Sequence, residues 1–346
     1  MRYKRLLALA LGLSLLSACA PKPAPTPEAT ATPSAAPTAE PTAAPSLAED
    51  EKVRVAMLKG PTGLGAAKLM EEKKDSATVE FTVCAEPTEV VALLTGEKVD
   101  IAALPTNMAS TLYHKTDGDI QLLALNTLGV LYILENGESV NSLADLAGKK
   151  LLATGQGANP EFVLNYLLEE NGLTAGEDVE VEWLSSDEVS ARMAAGEAGL
   201  CMLPVPAATS VLMQNSDVRA AVDLNDAWTE AGAEGALTMG CVVVRTEFAQ
   251  QNPEAVEAFL EEYEASIAYM SDPANVEPAA ALAETYGIVP KAAVAKRALP
   301  DANLCFITGD DMMADIQGYY QVLAAADPAS IGGSIPDGAF YFDYKK

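Results

Sequence analysis

The sequence predicts an α/β protein of two lobes, each a mostly parallel sheet with helices on both faces, with a cleft between them. From residue 52 onward, short apolar strand patterns alternate with helix patterns. A βαβ arrangement occurs once around residues 53–125 and again around 150–223. Two extended apolar stretches, Val130–Leu134 and Cys241–Val244, are placed to join the halves.

Before this body the chain is of another kind. Arg2, Lys4 and Arg5 precede an apolar run, Leu6–Ala18, that breaks at Leu16-Ser17-Ala18-Cys19. The basic start, the run of about 13 residues and the small residues before the break predict a signal peptide. The run is too short for a stable membrane span. The L-S-A-C order resembles the lipobox of bacterial lipoproteins, which implies cleavage before Cys19 and a lipid on its sulfur. Ala20–Asp50 consists mainly of proline, alanine, threonine and acidic residues, with no aromatic residue. It cannot form a core and is expected to be an extended tether reaching roughly 30 Å. The expected organisation is residues 1–18 leader, 19–51 lipidated cysteine and tether, 52–134 with 241–346 the first lobe, and 135–240 the second.

Within the body, Val53–Met57 is expected to be a strand and Thr62–Lys74 a helix. Val79, Phe81 and Val83 alternate along the next strand. Thr88 is placed to cap a helix ending near Gly96, and Asp100–Leu104 is a third strand. In the second half, Lys149–Thr154 is a strand. Asn159 caps the following helix, Pro160 takes its first position and Asn171-Gly172 ends it. Trp183 lies on an alternating strand and is expected to be core. Asn252 and Pro253 start the clearest helix, whose apolar stripe (Val256, Phe259, Leu260, Tyr263, Ile267, Met270) is a packing face.

Charge and residue usage exclude several functions. The formal charge of −27 becomes about −30 once Arg2, Lys4 and Arg5 leave with the leader. Such a surface repels nucleic acid and anionic headgroups. It still permits a small anionic ligand, because salt screens exposed charge beyond roughly 8 Å. Cys84, Cys201, Cys241 and Cys305 form no C-x-x-C pair, and the first three lie in strand patterns, where a thiol acts as a small hydrophobe. With His114 the only histidine, no usual zinc spacing is present. No metal and no cofactor are expected.

Four turns stand at predicted strand ends, where ligands of open α/β sheets bind: "KGPTG" (59–63), "LPTN" (104–107), "TGQGAN" (154–159) and "LPVP" (203–206). Glycine allows close approach, and helix N-termini favour electron-rich atoms. Helix capping alone would also explain Thr62, Thr106 and Asn159. The first turn is not a P-loop, since Gly60 and Gly65 have the spacing but Ala66 and Ala67 follow where Lys and Ser/Thr must stand. The dinucleotide pattern fails at Lys68. No G-x-S-x-G elbow is present, and no carboxylate pair is singled out, so no enzyme is expected.

The body from about Lys52 to Tyr344 resembles the solute-binding proteins of bacterial ABC importers, nearest the nitrate/sulfonate/taurine group, which includes binders of the thiamine pyrimidine precursor. The likeness rests on "VRVAMLKGPTG", "VDIAALPTNMAS", "SLADLAGKKLLATGQGANPEFVLNYLLEENGL" and "VVVRTEFAQQNPEAVEAFLEEY". It implies a type II-like periplasmic-binding-protein fold that closes on a small molecule and delivers it to a membrane permease. The implied ligand shell draws on Gly60, Pro61, Thr62 and Gly63, with Thr106 and Asn107. From the second lobe it takes Gly155, Gln156, Gly157 and Asn159, with Pro204 and Val205. No arginine stands in the four turns, so the ligand is either a small organic anion of sulfonate type or a nitrogen heterocycle. The implied protein is a monomer lipid-anchored through Cys19 on the outer face of the cytoplasmic membrane. The alternatives are a ligand-sensing surface receptor and an enzyme on the same fold. For the latter, the related yeast pyrimidine synthase uses a cysteine-rich motif that this chain lacks.

Overall fold

The computed structural model describes residues 52–233 and 235–344. The leader, Cys19 and the tether lie outside the described residues. The strands are β1 (Val53–Leu58), β2 (Val79–Cys84), β3 (Ile101–Pro105), β4 (Ile120–Thr127), β5 (Leu131–Asn136), β6 (Lys150–Ala153), β7 (Glu180–Trp183), β8 (Leu200–Pro204), β9 (Val218–Asp223), β10 (Gly240–Arg245) and β11 (Leu304–Ile307). They form two sheets, β11-β4-β10-β3-β1-β2 and β7-β6-β8-β5-β9. In the first, β10 runs antiparallel to both β3 and β4, and in the second β5 runs antiparallel to both β8 and β9. The predicted two-lobed α/β architecture is therefore the observed one, but its sheets are mixed and not mostly parallel, because the reversed strands β10, β11 and β5 make the five antiparallel pairings beside four parallel ones.

Strand composition explains strand position. Val53, Val55, Ala56 and Met57 in β1, and Cys241–Val244 in β10, are fully buried, as central strands covered on both faces must be. β2 alternates buried and wet residues and forms an edge. The junctions are placed differently from the expectation. β5 pairs along its length with β8 and β9, so residues 131–134, assigned from sequence to the first lobe, belong to the second sheet. The chain passes between sheets just before β5 and just before β10. An extended apolar run looks the same in a crossing as in a strand, which is why sequence placed the crossings in the strands themselves.

Three helix starts also differ. The stretch expected as one helix over 62–74 is two, Pro61–Leu64 and Ala67–Lys73. They meet at Gly65, where a Cβ would lie 2.7 Å from Ile267 of the helix Pro253–Ser271. Ser266 of that helix accepts from the Leu69 N–H and donates to the Gly65 carbonyl, filling the break. Glu86, not Thr88, caps the helix Pro87–Thr95, in a capping box with Glu89. Asn252 occupies the cap position of Pro253–Ser271, but its amide donates back to the Phe248 carbonyl. The expected stripe on that helix is buried, with each of its six residues at most 4% exposed.

One apolar core runs through both lobes, and a smaller cluster around Leu152, Val189, Cys201 and Leu203 covers the far face of the second sheet. Trp228 connects the lobes. Its ring contacts Tyr166 on one side and Tyr319 on the other, and its Nε1–H donates to the Gly235 carbonyl. At the starts of the first-sheet strands, Asp100, 1% exposed, accepts from Arg54 Nε (2.9 Å), Arg54 Nη2 (2.5 Å) and Arg245 Nη2 (3.0 Å). This clamp holds β1, β3 and β10 together at the end of the sheet away from the four turns. Among the described residues no helix is long and apolar enough to cross a membrane.

Candidate functional site

Two of the four turns meet directly. The helix Thr106–Lys115 follows β3 with Pro105 in the cap position, and the helix Asn159–Glu170 follows β6 with Ala158 there. Asn159 is thus the first residue of its helix and does not cap it, contrary to the expectation from sequence. Its carboxamide crosses to the first lobe. Asn159 Oδ1 accepts from the Asn107 N–H (3.2 Å) and from the Tyr319 hydroxyl (2.9 Å). Its Nδ2 donates to Thr106 Oγ1 (2.9 Å) and to the Met239 carbonyl (2.7 Å). Both ends of the amide are used in full, which fixes its orientation.

The surrounding groups are dry. Thr106, Asn107 and Asn159 are 0%, 2% and 1% exposed. Thr106 Oγ1 donates to the Thr238 carbonyl (2.6 Å), and the Tyr320 hydroxyl donates to the Thr106 carbonyl (2.7 Å). Burial pushes the Tyr319 and Tyr320 phenols well above their ordinary range, so both stay neutral donors. Asn107 Nδ2 donates to the Ser330 carbonyl (3.3 Å), whereas Asn107 Oδ1 and Thr238 Oγ1, both buried, have no hydrogen-bond partner among the described residues. Buried polar atoms are normally paired, and two of the unpaired ones belong to residues of this network, while Asn165 Oδ1 and the Tyr341 hydroxyl lie elsewhere.

The other predicted residues occupy separate surroundings. Gly60 adopts φ 87° before its short helix, and its N–H donates to the Ile288 carbonyl (3.0 Å); Pro61 follows, half-buried. Thr62 is buried, and its carbonyl accepts from Asn126 Nδ2 (3.1 Å), which also donates to the Tyr263 hydroxyl. Gly63 is required by packing, since a Cβ there would lie 1.9 Å from the Leu58 carbonyl oxygen. Gly155 is half-buried against Pro160, while Gln156 and Gly157 are exposed. The Gly157 N–H is already held by Glu161 Oε2 (2.6 Å), a carboxylate in the place where an anion would sit. Pro204 ends β8. Val205 is buried, with its N–H on the Val130 carbonyl (2.9 Å), ahead of a cis Val205–Pro206 bond. The helix that follows, Ala207–Gln214, packs on Ala292–Ala298.

The groups around Asn159 are neutral. Arg54, Arg192, Arg219 and Arg245 are engaged in ion pairs elsewhere, and Arg297 is exposed. Lys59, exposed, is the only charged residue in the four turns. Sequence reasoning missed Tyr319, Tyr320, Thr238 and Met239. The tyrosines sit in a C-terminal helix with no motif, and Met239 contributes only a carbonyl.

The family model described as NMT1/THI5 like matches residues 74–276. The chain belongs to this family. Solved structures share its fold. An ABC transporter from Parabacteroides distasonis is similar over 86% of this chain and 100% of its own, with 22% identity and a TM-score of 0.70. The periplasmic aliphatic sulphonate binding protein SsuA from Escherichia coli is 17% identical over 82% of this chain and 94% of its own, with a TM-score of 0.65. The periplasmic nitrate-binding protein NrtA from Synechocystis PCC 6803 is 16% identical over 67% and 65%, with a TM-score of 0.51. No curated protein matches the chain.

Proposed function

We propose that this protein is the extracytoplasmic solute-binding component of an ABC-type importer, held at the outer face of the membrane by a lipid on Cys19. It captures a small molecule between its lobes and presents it to a permease. The observation that carries this reading is the meeting of two helix N-termini, at Thr106 and Asn159, across the two lobes in a dry polar network. Helix N-termini and neutral amides bind and release a ligand without altering it. The network holds no group that titrates near neutrality, and His114 lies outside it, against the Ser334 carbonyl. Capture therefore fits better than catalysis. The family and the similar structures, an ABC transporter and binders of aliphatic sulphonate and nitrate, support the same role.

Between the two solute classes, the surroundings favour a neutral nitrogen-containing molecule over a sulfonate. No arginine reaches the network, and Glu161 occupies the Gly157 N–H. The test is a thermal-shift panel on the mature chain, with sulfonates, oxyanions, pyrimidines, amino acids and carboxamides. A solute at a hundred times its Kd adds about 2.7 kcal/mol of stability and raises the melting temperature by roughly 5–10 °C. Loss of that shift in Thr106→Ala and Asn107→Ala, with Lys59→Met unaffected, is the expected pattern. A panel in which nothing shifts the wild-type protein refutes capture, and a sulfonate shift abolished by Lys59→Met refutes the neutral class. Release from membranes by Cys19→Ala tests the anchor.

A further inference from the structure

The geometry points to Asn159 as a built-in stand-in for the solute: its carboxamide fills a carboxamide-reading site on the first lobe, and we infer that the solute carries a group of that class. This rests on the capture reading above and names the chemistry the site takes.

The site consists of four first-lobe and hinge atoms with alternating character. The Asn107 N–H and the Tyr319 hydroxyl are donors that converge on one oxygen. Thr106 Oγ1 and the Met239 carbonyl are acceptors that converge on one NH2. Two donors on an oxygen beside two acceptors on an amine is the full complement of a primary carboxamide. A carboxylate satisfies only the donor half and sets its second oxygen against two acceptors. An ammonium satisfies only the acceptor half. The site discriminates because each mismatch leaves buried polar atoms unpaired.

Asn159 belongs to the second lobe, so its presence there joins the lobes without a solute. Removing it by lobe opening exposes the same four atoms to solvent. Asn107 Oδ1 and Thr238 Oγ1, buried and unpartnered, belong to residues of the network and are not served by Asn159. Asn107 Oδ1 is an amide oxygen and can only accept, and donation from Nδ2 to the Ser330 carbonyl fixes which end of the amide it is. A solute with an N–H beyond its carboxamide would complete what Asn159 leaves incomplete, and so displace it. The empty protein is then closed on itself, and binding is an exchange of one amide for another.

The test is chemical rescue. Asn159→Gly removes one acetamide-sized group from the lobe interface. In the empty wild-type protein, small-angle scattering should report a compact body, and Asn159→Gly a larger radius of gyration with melting lowered by roughly 5–10 °C. Acetamide at high millimolar concentration should restore compactness and most of the lost melting temperature in the variant, and leave wild type unchanged. Acetate, of the same shape, should restore neither. Nicotinamide against nicotinate extends the comparison to larger solutes. Asn159→Asp is a control that still meets the two donors but sets an oxygen against the two acceptors, and it should remain open and unrescued. If Asn159→Gly is as compact as wild type, or acetate rescues as well as acetamide, the stand-in is refuted. Rescue of Asn159→Gly by acetamide, together with a panel in which no compound shifts the wild-type protein, would leave the stand-in in place and refute capture, so the two failures are separable.

Discussion

The contact between Thr106 and Asn159 decides whether the lobes touch in solution as they do here, and a double-mutant cycle measures it. Thr106→Val keeps the shape and removes the hydroxyl. That strands the Thr238 carbonyl, which the hydroxyl had satisfied at 2.6 Å, and leaves Asn159 Nδ2 with the Met239 carbonyl alone. One buried acceptor left unpaired costs about 2 kcal/mol. Asn159→Ala strands the Asn107 N–H, the Tyr319 hydroxyl and the Met239 carbonyl, all in buried surroundings, and should cost about 3 kcal/mol. The single bond the two residues share, Asn159 Nδ2 to Thr106 Oγ1 at 2.9 Å, is absent from both variants. The double variant should therefore be less destabilised than the sum, by about 1 kcal/mol. Urea unfolding of the four proteins, with equal slopes required, supplies the comparison. Costs that add to within about 0.3 kcal/mol would mean that the residues do not touch, and that the empty protein in solution is open.

Two further expectations address the frame around the site. Gly63→Ala places a methyl 1.9 Å from the Leu58 carbonyl oxygen, against backbone, and should destabilise by about 3 kcal/mol. A loss of solute binding with unchanged melting would instead make Gly63 a ligand contact. At Asp100, burial pushes the carboxyl upward, but hydrogen bonds from the Arg54 side chain and backbone and from Arg245 outweigh it and hold the carboxyl below its ordinary 3.8. A depressed folded value stabilises above pH 3.8 and loses that stabilisation as pH falls through the folded value. Asp100→Asn should cost about 3 kcal/mol at pH 7, with the gap to wild type narrowing toward pH 2; a gap independent of pH would refute the clamp.

Much of the fold was legible because it depends on side-chain periodicity. The apolar runs of β1, interrupted only by Arg54, and of β10 mark central strands, and the spacing of Val256 to Met270 marks a helix face. The errors occur where local chemistry has more than one solution. Glu86 and Thr88 are both competent caps, and the choice between them depends on Glu89 completing a reciprocal pair. The break at Gly65 depends on Ile267, some two hundred residues away, and no local pattern encodes that approach.

The site was legible only in part, for a related reason. Turns two and three were found because a strand followed by a polar helix start has a local signature, and Thr106, Asn107 and Asn159 do converge. What that signature cannot say is which way a polar side chain turns. Asn159 has the composition of a cap, and a cap satisfies its own helix, whereas here the residue lies one position inside and its amide serves the other lobe. The difference changes the chemistry of the cleft. As a cap, Asn159 would spend its oxygen on the first N–H groups of its own helix and leave the Asn107 N–H, the Tyr319 hydroxyl, Thr106 Oγ1 and the Met239 carbonyl without its amide. As a crossing carboxamide, it pairs with two donors and two acceptors and leaves a site that favours neither charge. The Tyr319 hydroxyl and Met239 carbonyl that complete this balance come from 160 and 80 residues further along the chain. The neutrality of the site is thus a property of tertiary assembly, and it could not be read from any of the four turns.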